Sequence, residues 1–416
     1  MAAQRPGARR CAVRARPRGA GRRRRLRHPR PPGGPVVSDT LLVPAVACVT
    51  APRTEGHAPT GAVFAVVEDG RTDIVASGIA DLGTGTRMTV GHAFDLASVS
   101  KTLTTLAVRR LIHLGALAED TPVGSILGAR AGVAAEATID DLLRHRAGLR
   151  EWWPLYLLPE AEEDPVAAAL SLAPRYPRGA GRHYSDLGMQ ALGAVIAHVT
   201  GSAFAEAVRQ VLLDPLSAAT VSPGAPAAGM SVVAGPDGDA IEREMVRSGV
   251  PYPVDVDPAG FAWRSGILRG EIADGNAFHA FGGAAGHAGW FGDADGMLRI
   301  AAAIAAPQAW GLGAASAAAF RAAVDAGQGQ GLLHHRMRWR GTDRLFLGHN
   351  GFTGALVAAS PATDDQPEVL TVLLTNRLHG RPAPGRDRLV PVDLLWREAM
   401  SRADALLHPS TTGATP

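Results

Sequence analysis

A serine followed three residues later by a lysine, Ser98-Val99-Ser100-Lys101, is the string in this chain best suited to covalent chemistry. Residues three apart on a helix share a face, one turn from each other. A serine hydroxyl is a weak nucleophile until a neighbouring group takes its proton. A lysine amine can do that when burial or nearby charge shifts its pKa. The chain has 42 Lys and Arg side chains, and Lys101 is the single lysine among them. Arginine stays protonated and cannot act as a base. Arginine everywhere else, with lysine here, predicts a position that needs an amine. The bland alternative is a helix N-cap with a solvated side chain, but a cap has no use for Lys101. Residues 102–108 are apolar at helical spacing, so Ser98 is expected to open a largely buried helix. The positive end of that helix dipole would favour an anionic serine oxygen.

Two later strings offer partners. In Tyr184-Ser185-Asp186 a phenol could share proton transfer with Lys101, each group tuning the other. In His349-Asn350-Gly351-Phe352, just ahead of a strand, the glycine would let an edge strand approach a ligand. A backbone N–H there, with that of Ser98, would form an oxyanion hole.

Positioning these strings requires a scaffold. Residues 61–67 and 73–78 read as two strands joined by a Glu68-Asp69-Gly70 turn, a β-hairpin. A helix is expected from Ser98 to about Leu114. A mostly helical stretch follows over about 116–255, with Thr138 as an N-cap before residues 139–143 and a long helical pattern over 187–199. Residues 221–260, rich in Pro and Gly, read mostly as loop. A helix-rich piece follows Asp293. Strands are expected at 344–348, 354–359 and 369–375, and a last helix at about 391–407. Strands at both ends around a helical insert predict an α+β fold, an antiparallel sheet closed by both ends of the chain.

Composition narrows the function. Twelve arginines fall in the first 30 residues, ahead of any acidic residue; without them 30 basic face 39 acidic side chains, a balance of about −9. The body is therefore not a nucleic-acid-binding protein, despite a pI near 9.2. Residues 1–37, rich in Arg, Pro and Gly, read as disordered. They hold no apolar core of a secretory signal, and a misplaced start is the favoured explanation for them. No apolar run is long enough to cross a membrane, which makes a cytoplasmic location the default. Cys11 and Cys48 have no metal-type spacing, so neither a zinc site nor a disulfide is expected. The folded domain is placed at 38–405, with the helical subdomain at 116–255 and a tail at 406–416.

Together these motifs resemble those of the serine β-lactamase and penicillin-binding-protein superfamily, most closely the class C β-lactamase, D,D-peptidase and esterase group. Ser98-Val99-Ser100-Lys101 matches its Ser-x-x-Lys motif. Tyr184-Ser185-Asp186 resembles Tyr-x-Asn, and His349-Asn350-Gly351 resembles Lys/His-Thr-Gly, in the same order. Residues 139–149, Gly201, Pro215-Leu216, residues 286–289 and Thr375-Asn376-Arg377 fit the same group. The resemblance covers about 55–405. It implies a β-lactamase-like antiparallel sheet flanked by helices, with an inserted helical subdomain, and no metal or organic cofactor. It implies that Ser98 is acylated, that Lys101 takes its proton, and that Tyr184 relays it and later activates water. Ser98 and Phe352 would supply the oxyanion N–H groups. Asp186, Asn350 and Gly351 would orient the substrate, with Trp152 at the border of the cleft.

Two departures bear on the substrate. Asp186 replaces a neutral amide by a carboxylate, which favours a protonated Lys101 and repels a substrate carboxylate. His349 replaces a lysine and is mostly neutral at pH 7; Arg377 could compensate in part. Both changes favour an esterase or peptidase-like activity on a small-molecule or peptide substrate. A D,D-peptidase or β-lactamase is the alternative, and a sensor that is acylated without turnover is an alternative of another class. His287 reads as part of a glycine-rich turn, and His334-His335 as a surface pair.

Overall fold

Residues 36–37, 40–53, 56–322, 329–380 and 389–409 are described here, from a computed structural model. The expectation of disorder for the first residues, and most of the expected tail, lies outside them. Val36–Val37 does lie inside, and it pairs in parallel with the strand Arg71–Asp81. The last helix is Val392–Leu407, close to the expected 391–407.

The largest sheet runs, in spatial order, Val36–Val37, Arg71–Asp81, Gly61–Glu68, Val369–Thr375, Ala355–Ser360, Thr342–Asn350 and Leu333–Trp339. Apart from the first pair its ladders are antiparallel. The early hairpin turns at Asp69 and Gly70, both at positive φ (51° and 73°), the geometry a two-residue turn needs. It joins the late strands through Ala62 opposite Thr375 and Glu68 opposite Val369, which closes the two ends of the chain into one sheet.

Strand alternation builds two cores at once. Val63, Ala65 and Val67 face one core with Leu370, Val372 and Leu374. Ala62, Phe64 and Val66 face the other with Leu356 and Leu373. The second core is covered by the helices Val43–Thr50 and Val392–Leu407, where Trp396 is fully buried. The first is covered by Ser100–His113 and Ala294–Ala305, and it continues into the helical part of the chain. A strand buried on both faces reads as a continuous apolar run, which is why 369–375 shows no polar alternation.

Residues 221–260 are mostly loop, as expected, though Ala234–Asp237 pairs with Ile267–Arg269 and Ala240–Ser248 is an amphipathic helix. The expected surface pair His334-His335 needs correction. Leu333–Trp339 is an additional strand, so His334 and His335 lie on it, and His335 is buried against Trp396. Thr138 does cap Ile139–Leu143, in a reciprocal pair with Asp141. Among the described residues no single helix is long and apolar enough to cross a membrane.

Candidate active site

The strand Phe94–Asp95 leads into a 3-10 turn, Ala97–Val99, before the helix Ser100–His113 begins. Ser98 therefore precedes the helix instead of capping it. Lys101 lies in the first turn, 1% exposed. Its Nζ donates to Ser98 Oγ at 2.7 Å and to the His287 carbonyl at 3.1 Å, and lies 2.8 Å from Asp186 Oδ1. It also stands 4.9 Å from the centre of the Tyr184 ring.

Tyr184 and Asp186 are delivered by the start of the helix Asp186–Thr200. Ser185 caps that helix by accepting the Gly188 N–H at 3.1 Å. The Ser185 N–H donates to His145 Nδ1 at 3.1 Å, its Oγ donates to the Arg150 carbonyl, and the Asp186 N–H donates to the Glu151 carbonyl. Residues 145–151 thus hold the Tyr184–Asp186 segment in place. The His145 ring also packs 4.8 Å from that of Tyr184.

The third segment arrives at the end of the strand Thr342–Asn350. A side chain at Gly351 would bring its Cβ to 2.4 Å from the Leu96 carbonyl oxygen. The glycine is needed here for close approach to the turn before Ser98, not to a ligand as the sequence suggested. Ser98, Tyr184, Asp186, His349, Asn350, Gly351 and Phe352 line one cavity of about 440 Å³, with Trp152 and Arg377 on its walls. Arg377 is tied by its Nε to the Phe352 carbonyl at 2.9 Å and by Nη1 to the Val390 carbonyl at 2.5 Å.

Burial alone would lower the Lys101 pKa, but the Asp186 carboxylate and Tyr184 outweigh it and raise the amine above its ordinary value. In this arrangement Asp186 and Tyr184 favour the ammonium form of the amine. Burial pushes the Tyr184 phenol up, and the Lys101 charge with hydrogen bonds to Lys101 and Ser98 pulls against it. His349 is 3% exposed, and its Nδ1 lies 2.8 Å from the Asn350 carbonyl. Burial and the Lys101 charge push it down to about 3, so it brings no positive charge to the cleft.

That shift predicts a stability effect. Unfolded, His349 takes a proton near its ordinary 6.5; folded, it does so only near 3. Between those values the unfolded chain binds more protons, so its contribution is complete above about pH 6.5 and lost as pH falls. His145 and His335 act in the same direction, while Glu242, raised by burial, acts in the other. His349→Gln should therefore flatten the fall in melting temperature between pH 6.5 and 4, relative to wild type. An unchanged slope would count against a neutral buried imidazole.

Sequence reasoning undervalued His287 and overlooked Asp274. The His287 carbonyl receives Lys101, and its Nε2 lies 3.0 Å from Asp274 Oδ1, on the cavity wall. The ligand atoms of Asp186, Asp274 and His287 lie within 4.8 Å of one another, a spacing that suits a metal. The Lys101 ammonium already supplies positive charge there. Nothing in a Gly-Gly-Ala-Ala-Gly-His string signals this, because the contact is made through the backbone carbonyl.

A buried ammonium touching a serine hydroxyl, with a phenol beside both, can activate the serine for attack on a carbonyl. The model of the family described as Beta-lactamase matches residues 46–393. Penicillin-binding protein 4 of Amycolatopsis lactamdurans is 33% identical over 173 residues, 39% of this chain and 44% of that protein. Esterase EstB of Burkholderia gladioli is 31% identical over 264 residues, 56% of this chain and 62% of that protein. Each match thus spans less than two thirds of the relative's length. The D-amino acid amidase from Ochrobactrum anthropi SV3, in its complex with L-phenylalanine amide, has the same fold, with a TM-score of 0.61 at 19% identity over 87% of this chain and 96% of that one.

Proposed function

The chain belongs to the Beta-lactamase family, and we propose that it is a serine hydrolase acting on esters or amides through an acyl-enzyme at Ser98. The observation that carries this reading is the 2.7 Å contact of Lys101 Nζ with Ser98 Oγ at the wall of a 440 Å³ cavity. We place the activity in a domain over 38–405 with a helical insert at 116–255.

Because Lys101 donates to Ser98 Oγ, the serine proton is directed elsewhere, and Tyr184 is the acceptor at hand. On attack, Oγ bonds to the carbonyl carbon and passes its proton to the Tyr184 oxygen. In the same concerted step Tyr184 gives its own proton to the leaving oxygen or nitrogen, so the phenol never holds two protons, and the bond from that atom to the carbonyl carbon then breaks. Lys101 remains charged and stabilises both oxygens. Water then follows the same path in reverse: its proton goes to Tyr184, the Tyr184 proton goes to Oγ, and the acid is released. The backbone of Ser98 and Phe352 would face the oxyanion.

The cleft supports a substrate without a carboxylate near the scissile bond. His349 is neutral, and Asp186 and Asp274 both line the cavity. Trp152, Tyr252 and Ile241 offer apolar wall for an acyl group. A short neutral ester and a D-amino-acid amide are the first substrates to try, against a chromogenic cephalosporin. The ester or amide should turn over at least ~10²-fold faster in kcat/KM, because a cephalosporin carboxylate would meet Asp186 and Asp274, while the wall cations are already engaged, Arg377 by the Phe352 and Val390 carbonyls and Arg182 over the Tyr184 ring. Comparable turnover of the cephalosporin would favour the β-lactamase alternative. One stoichiometric acylation with no release would favour the sensor.

A further inference from the structure

We propose that Asp95 is a positioning residue for acylation, fastening the turn that carries Ser98 to the two loops that face it. The inference rests on Ser98 being the acylated residue.

Asp95 is the last residue of its strand, three before Ser98. Its Oδ1 accepts the Ala97 N–H at 2.8 Å, and its Oδ2 accepts the Ala273 N–H at 2.7 Å. Its backbone carbonyl accepts the Thr353 hydroxyl at 2.7 Å. One residue thus binds the Ser98 turn, the loop bearing Asp274 and the loop bearing Phe352, all on the wall of the same cavity. Ala97 holds φ at +43°, a left-handed conformation that strains a residue with a Cβ. The Oδ1 bond offsets that strain and fixes the direction in which Ser98 leaves the turn. The Gly351 approach to the Leu96 carbonyl depends on the same turn. A shift of about 1 Å between a nucleophile and its facing loops can cost ~10² in rate.

An asparagine at 95 keeps one acceptor and turns an N–H2 towards the other N–H, so one of the two carboxylate ties is lost. Asp95→Asn should react with a fluorophosphonate about 10²-fold more slowly than wild type. Its KM for an ester should stay within about threefold, because the cavity walls remain. Adding Ala97→Gly should recover about tenfold, since glycine reaches a positive φ without the tether. A wild-type rate in Asp95→Asn, or a loss that Ala97→Gly does not recover, would overturn the proposal. Should Asp95→Asn fail to fold, Thr353→Val, which cuts one tie, carries the test: labelling about tenfold slower is expected, and an unchanged rate overturns it. An unlabelled wild type would instead remove the serine-hydrolase reading itself, a separate failure.

Discussion

Replacing Ser98 by alanine should remove the fluorophosphonate adduct seen by intact-protein mass and lower ester hydrolysis by about 10⁴-fold or more. In this reading no other group forms the acyl bond, so the loss falls on the chemical step. Folding should hardly change. Ser98 is half-buried, and after its removal Lys101 still has the His287 carbonyl and Asp186. The melting temperature is the control: a mutant that is inactive, unlabelled and as stable as wild type assigns the loss to the missing oxygen. An alanine variant that still carries the adduct would place the nucleophile elsewhere and end the reading of Ser98.

Lys101→Met should cost both activity and stability, and the two separate in a double mutant. Without the ammonium, Ser98 Oγ loses its donor and Asp186 loses its counter-charge in a largely enclosed place. Hydrolysis should fall ~10³-fold or more, by analogy with other residues that activate a nucleophile. Leaving one partner of a buried pair uncompensated costs about 3–5 kcal/mol. Lys101→Met/Asp186→Asn should regain most of that stability, because the orphaned charge is gone, and none of the activity. Recovery of activity in the double mutant would show that Lys101 is needed only to neutralise Asp186. Lys101 binds its proton more tightly folded than unfolded. Its stabilisation is therefore complete below the unfolded value of 10.5 and lost only as pH rises through the higher folded one. Lys101→Arg separates two roles: arginine keeps the charge but cannot accept a proton. Wild-type rates in that variant would rule out a neutral amine base.

The chemistry was more legible than its electrostatics. A lone lysine one turn from a serine marks a pair because helical spacing is a local property of the backbone. The closing of the sheet by Gly61–Glu68 against Val369–Thr375 was also readable, since strand runs at both ends must bury their edges on something. Pro and Gly made the loop character of 221–260 readable but hid its one helix, whose Met245 and Val246 find an apolar partner in Trp152. That packing is tertiary and overrides local propensity.

The charge state of Lys101 lies beyond local pattern. Its neighbours are a carbonyl at 287, and a carboxylate at 186 with a phenol at 184, brought in by two parts of the chain about 100 residues apart. The sequence by itself determined which residue types are available: one amine, one serine at helical spacing, a tyrosine with a carboxylate two residues on, and a glycine after His349. The tertiary structure alone decided that burial of Lys101 is outweighed by Asp186, that His349 is neutral, and that Asp95 and Gly351 meet at the turn before Ser98. Periodicity follows from backbone geometry within a few residues. A pKa and a close approach depend on distances between segments far apart in the chain, and only packing sets those distances.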